Sequence, residues 1–267
     1  MSAAQSKLVL EQLDRGLLTV TLNRPDRRNA LNAELCGLLV DILERAARAS
    51  EVRAVLVTGA GGTFCVGGDV KAMAEASGPE LGVDVRVRQL RSRMDASRLL
   101  HDMAKPTVAA IAGAAAGAGL ALALACDLRI AGESAKITTA FGKVGLSGDF
   151  GGTYFLTQLL GSARARELYL TSPVLTAKEA HAIGMVTRVV PDAEVEAVAH
   201  DLAMSLAQGP SITLGYIKRN INNAETMSLE ECFDAEAIHH SRSGETLDHK
   251  EAAKAFVEKR KPVFQNH

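Results

Sequence analysis

Tryptophan is absent from the 267 residues, and aromatic side chains make up only 4% of them. That leaves few flat faces on which nucleic-acid bases could stack. Charge of one sign is missing too: 30 Lys and Arg stand against 31 Asp and Glu, a formal net charge of −1. Such a balance gives no electrostatic case for a nucleic acid or a membrane surface as partner. Cysteine is sparse and scattered, at Cys36, Cys65, Cys126 and Cys232, with no Cys-x-x-Cys pair. This spacing suggests neither a zinc site nor a disulfide frame, and it fits a reducing cytosol. The opening MSAAQSKLVLEQ lacks a basic stretch followed by an apolar run. No signal peptide is therefore expected, and the chain reads as cytoplasmic.

One long uncharged run exists, between Lys105 and Asp127. Its length would admit a membrane span, but Gly113, Gly117, Gly119 and the many alanines make a poor one, and no flanking basic cluster sets an orientation. It divides better into a buried strand, Thr107–Ala112, a small-residue turn, and a buried helix from Gly117 to Ala125. The β-branched Thr107, Val108 and Ile111 fall in the first part, as a strand requires. Unpartnered N–H groups at the start of the helix would stabilise developing negative charge.

With 47% hydrophobic and 23% charged residues, the composition is that of a globular chain able to bury a large core. Residues 7–23 read as two strands turning at Asp14-Arg15-Gly16. A polar loop follows, and Asn32 is a good cap for an amphipathic helix carrying Leu35, Leu38, Leu39, Ile42, Leu43 and Ala46 to about Ser50. Val52–Thr58 is a continuous apolar strand ending in Gly59-Ala60-Gly61-Gly62. A dinucleotide-binding turn is excluded there, because Phe64 stands where the third glycine belongs and no helix starts. Asp69 is placed to cap a short helix running to Ala76, broken by Ser77-Gly78-Pro79. Residues 83–103 carry five arginines and read as a solvated helix face.

Beyond the central run, strands are expected at Leu128–Ala131 and Ala135–Thr138, then a glycine-rich loop over 139–152. Helices follow at 153–160, 162–171 and 176–183, a strand at Met185–Val190, and helices at 192–207, 211–223, 228–241 and 246–260. Gly145-Leu146-Ser147-Gly148-Asp149 lacks the last glycine of a serine-hydrolase elbow, and no Walker lysine follows any glycine loop.

Six stretches in order carry a resemblance: LNRPDRRNALN (22–32), FCVGGDVKAM (64–73), KPTVAAIAGAAAGAGLALALACDLRIA (105–131), GGTYFLTQLLG (151–161), LTAKEAHAIGMVTRVVP (175–191) and EAAKAFVEKRKPVF (251–264). Together they resemble the enoyl-CoA hydratase/isomerase (crotonase) superfamily from about Leu8 to Phe264. The resemblance implies an α/β fold, a spiral of ββα units over 1–191 holding an acyl-CoA site. A helical C-terminal trimerisation region would occupy 192–267, giving a homotrimer or a dimer of trimers. The partner implied is an acyl-CoA thioester. Coenzyme A then belongs to the substrate, and neither a separate cofactor nor a metal is called for.

By position, the family's two backbone N–H donors to the thioester oxygen would be Gly68 and Ala118, forming an oxyanion hole for an enolate. The two glutamates by which hydratases hold and activate water are replaced by Ala121 and Phe141, neither of which can orient a water or move a proton. Asp149, in KVGLSGDFGGTYFL, resembles the single catalytic Asp of isomerases acting on unsaturated or ring-epoxide acyl-CoAs. Its apolar neighbours Leu146 and Phe150 would raise its pKa, and the N–H groups of the helix near Gly152 would lower it. Arg28 would sit near the nucleotide phosphates, Val66, Gly67, Asp69 and Val70 along the CoA ester, and Phe256 and Lys259 would reach over from a neighbouring subunit. The stretch 77–95 would shape the acyl pocket. A hydratase with a non-standard site and a non-catalytic acyl-CoA-binding protein stand as alternatives.

Overall fold

The computed structural model describes residues 7–75 and 81–267. Residues 1–6, the helix end at Ala76, the Ser77-Gly78-Pro79 break and the first residues of the 77–95 stretch lie outside the described residues.

Strands β1 (Val9–Asp14) and β2 (Leu17–Leu22) form an antiparallel hairpin about Arg15 and Gly16, with Val9 opposite Leu22 and Asp14 opposite Leu17. β2 pairs in parallel with β3 (Ala54–Gly59), and β3 with β4 (Thr107–Ile111). β5 (Ala114–Ala116) leaves this sheet, while β6 (Leu128–Gly132) returns to lie beside β4. β7 (Lys136–Thr138) and β8 (Leu175–Thr176) join β5 in a smaller sheet, and β9 (Arg188–Val190) pairs with β6. Among the described residues the large sheet therefore runs β1-β2-β3-β4-β6-β9 and the small one β5-β7-β8.

The continuous apolar run of β3 is explained by cover on both faces, the usual condition of a parallel strand. Val55 and Val57 point into one core, and Ala54 and Leu56 point into a second. The first core is closed by α1 (Ala33–Arg48), which starts where the Asn32 side chain accepts from Leu35 N–H at 2.9 Å. α2 (Val70–Glu75), α3 (Val83–Arg93) and α4 (Asp95–Asp102) follow, and α5 (Ala118–Ala125) is buried at every residue. α6 (Gly152–Thr171) is interrupted at Gly161 (φ 76°, ψ 158°), where two helices are expected to meet. After α7 (Ala177–Ala182), α8 (Val195–Ala207) lays Val195, Ala199, Ala203 and Ala207 on the sheet's other face. α9 (Ser211–Ala224), α10 (Leu229–Gly244) and α11 (Leu247–Val257) complete a helical C-terminal region.

Three expectations need correction. The small-residue turn before α5 contains a strand, β5, held by β7 and by a bridge between Cys65 and Ala115. Three alanines carry little strand propensity, so pairing decides the matter. The strand expected over Met185–Val190 shrinks to its last three residues, because Met185 and Val186 pack in the core and their N–H groups bond back to Ala180 O. The loop over 139–152 holds a 3-10 turn, Phe141–Val144.

Candidate active site

The loop between β2 and α1 and the loop before α2 are tied together by polar groups. Asn29 is fully buried with φ 56°, a conformation asparagine tolerates better than most. Its amide donates to Ala60 O (2.9 Å) and Thr63 O (2.7 Å). Arg24 donates to Ala30 O at 2.5 Å and pairs with Asp69 at 3.1 Å, with side chains only 15% and 9% exposed. Asp69 also caps α2 through Ala72 N–H (3.1 Å), which with Arg24 holds its carboxyl below the usual carboxylate range. Asp69, expected along the CoA ester, thus has both carboxylate oxygens engaged inside the protein.

Backbone bonding then passes over one amide. Leu31 N–H donates to Gly67 O (2.7 Å) and Asp69 N–H to Leu31 O (3.2 Å), so Gly68 N–H, between them, has no acceptor among the described residues. Across the cleft Ala118 heads α5, where the helix itself supplies no acceptor. The two amides are close because two glycines permit it. Gly117 has φ 52° and ψ −127°, a region closed to side chains. A methyl on Gly67 (φ 88°) would stand 2.8 Å from Ala116 O and 3.2 Å from Ala118 N. The Ala118 methyl is buried, so this residue adds its N–H and no side chain to the cleft. Val66 and Gly68 are half-buried, Val70 is exposed, and Met73 stands over Gly68.

Asp149 lies in a tightly wound stretch: Gly148 (φ 115°), Phe150 (φ 50°) and Gly151 (φ 76°) are all left-handed. Gly152 N–H returns to Asp149 O at 3.1 Å. The side chain gains no such help. Its Oδ1 is buried with no hydrogen-bond partner among the described residues. Burial pushes its pKa up to about 6, so of the two opposing influences read from the sequence, desolvation wins.

Two neighbours of Asp149 were not singled out from the sequence as site residues. The Cys36 thiol, on α1, is pushed up to about 11, by burial first, then against the pull of Arg93, with Asp149 adding to the rise. Tyr169, on α6, is raised by burial and by Asp149. Its ring lies 4° from parallel to Phe141, centroids 6.0 Å apart, and the tip of Phe141 is 3.7 Å from a methyl position on Gly117. A chain of two aromatic rings thus joins the amide pair to the Asp149 loop. No spacing signal marks Tyr169 or Cys36, which are distant in sequence from Asp149.

The other expected residues lie at the surface. Arg28 is exposed, and its carbonyl accepts from Val66 N–H. Phe256 is 85% exposed near the end of α11, and Lys259 is exposed with φ 55°. Among the described residues no three His, Cys, Asp or Glu side chains gather as metal ligands, and no helix is long and apolar enough to cross a membrane.

Residues 12–267 match the model of the enoyl-CoA hydratase/isomerase family. The chain is 39% identical over 259 residues to the 1,2-epoxyphenylacetyl-CoA isomerase of Escherichia coli, covering 97% of this chain and 98% of that one. It is 34% identical to an enoyl-CoA hydratase of Mycobacterium tuberculosis, covering 93% of each. The fold is similar to the crystal structure of an enoyl-CoA hydratase from Bacillus anthracis, with a TM-score of 0.91, 30% identity, and 98% and 100% of the two chains covered.

Proposed function

The chain belongs to the enoyl-CoA hydratase/isomerase family, and from that premise we propose that it is an acyl-CoA isomerase with Asp149 as its one proton-carrying side chain. The observation that carries this reading is the unpartnered, buried Asp149 Oδ1 with a pKa near 6. A carboxyl with that pKa is ionised often enough near neutrality to take a proton, and acidic enough to give it back. In a 3-enoyl-CoA the proton leaves carbon 2 for Asp149, and electron density moves onto the thioester oxygen. The Gly68 and Ala118 N–H groups hold that oxygen, each donor worth roughly 2.7–4 kcal/mol of barrier. The proton then returns to carbon 4 as the double bond settles between carbons 2 and 3. Alanine and phenylalanine in place of carboxylates keep water away from the dienolate.

The CoA ester runs along Val66, Gly67 and Val70, with Arg28 toward its phosphates. Phe256 and Lys259 of a second copy close over its nucleotide in a trimer or a pair of trimers. Exposed Ile221, Leu229 and Phe233 support residues 192–267 as the face for that assembly, with 1–191 as the catalytic part. Coenzyme A is part of the substrate, and the step as written requires no further cofactor. Three buried free thiols support a reducing compartment, the cytoplasm.

The Mycobacterium tuberculosis relative favours a second reading, hydration through a water held by Asp149. Separate incubations with 3-enoyl-CoA and 2-enoyl-CoA decide between them. Isomerisation of the first without 3-hydroxyacyl-CoA from the second is the expected result, and rapid hydration of 2-enoyl-CoA would reverse the assignment. The relative in Escherichia coli makes 1,2-epoxyphenylacetyl-CoA a third substrate to try.

A further inference from the structure

Two side chains that would normally carry the water chemistry are absent from this cleft, and the space is not left open. Tyr169 reaches into it from α6. A methyl placed on Gly152 would collide with Tyr169 Oη and stand 3.2 Å from the Ala121 methyl, so phenol and Ala121 border the same spot. The ring itself stacks on Phe141. On its other side, a methyl on Gly148 would stand 3.0 Å from Tyr169 Cε1. The two glycines that flank the Asp149 stretch thus both close on one tyrosine, and neither could carry a side chain without displacing it.

We propose that Tyr169 is the positioning residue for Asp149: its ring is the post around which residues 148–152 wind, and its hydroxyl fills the space beside Ala121, where a hydratase would carry a glutamate. The inference rests on Asp149 being the proton carrier. Three left-handed residues in four, one of them the bulky Phe150, wind a stretch that local preference alone would not hold. The packed ring supplies the constraint, and a shift of about 1 Å in a catalytic group is worth about 100-fold in rate. The hydroxyl, held neutral by burial and by the Asp149 charge, fills the space beside Gly152 and Ala121.

The two roles separate by substitution. Tyr169→Leu removes the post and should lower kcat at least tenfold while KM for the acyl-CoA changes less than threefold. Tyr169→Phe keeps the post and should hold kcat at pH 8 within threefold. Gly152→Ala should lower kcat by forcing methyl against hydroxyl, and the same substitution in the Tyr169→Phe background should recover most of the loss. That recovery keeps the test decisive even where Tyr169→Leu fails to fold. Wild-type kcat in a folded Tyr169→Leu, or equal losses from Gly152→Ala in the wild-type and Tyr169→Phe backgrounds, would overturn the inference. Asp149→Asn is measured alongside. If it is active, the proton-carrier reading falls and takes this one with it, whereas an inactive Asp149→Asn with indifferent Tyr169 variants sinks the positioning role alone.

Discussion

Replacing Asp149 by Asn should stabilise the protein while abolishing its turnover. The carboxyl is pushed from 3.8 up to about 6 by burial, and its Oδ1 finds no donor among the described residues. A raised carboxylate pKa means that the folded state binds the proton more tightly than the unfolded chain does. Its contribution is therefore most favourable below the unfolded value near 3.8 and is lost as pH rises through about 6. Above that, ionised Asp149 carries a penalty whose ceiling is about 3 kcal/mol at 1.36 kcal/mol per unit. The residue is partly solvated, and screening brings the expectation to about 1–2 kcal/mol. Asparagine keeps the shape and never ionises. At pH 8 thermal or urea denaturation should show the variant more stable by that amount, a gain of a few degrees in Tm. At pH 4 the two proteins should melt together. Equal stability at pH 8, or a variant less stable there, would refute the claim that Asp149 is held at the expense of its own solvation.

Further predictions come from the same geometry. Gly67→Ala puts a methyl 2.8 Å from Ala116 O at φ 88°, so kcat should fall about 100-fold through separation of the amide pair, with folding checked by circular dichroism. Arg24→Leu leaves Asp69 charged and half-satisfied in a nearly closed site. Urea denaturation should register a loss of about 2–4 kcal/mol, most of it absent when Asp69→Asn is added. The acid limb of kcat/KM should fall near pH 6, where Asp149 becomes protonated, instead of near 4 as for a solvated carboxylate.

Much of the architecture is legible in the residues because local and tertiary preferences agree there. The Asn32 cap, the Asp14-Arg15-Gly16 hairpin and the all-apolar α5 each specify themselves. β5 does not, since three alanines become a strand only when β7 and Cys65 lie alongside. At the site, Asp149 stands out in the sequence as a lone carboxylate in a glycine-rich loop, whereas the close backbone approach at Gly67 and Gly117 is seen only in the fold. Tyr169 and Cys36 carry no such mark. Their proximity to Asp149 is a product of how α1 packs on α4 while α4 and α6 pack on α5, which no periodicity within any one helix encodes. The pKa of Asp149 is of the same kind: apolar neighbours and a nearby helix start pull in opposite directions, and only the position of Oδ1 decides between them.

The central claim is that one carboxyl carries hydrogen between two carbons of one substrate while two backbone amides hold the charge. A 3-enoyl-CoA deuterated at carbon 2 tests it most directly. The wild-type protein should deliver part of the label to carbon 4 of the 2-enoyl product, and Asp149→Asn should form no product. Label lost wholly to solvent, with Asp149→Asn turning over at the wild-type rate, would contradict the account.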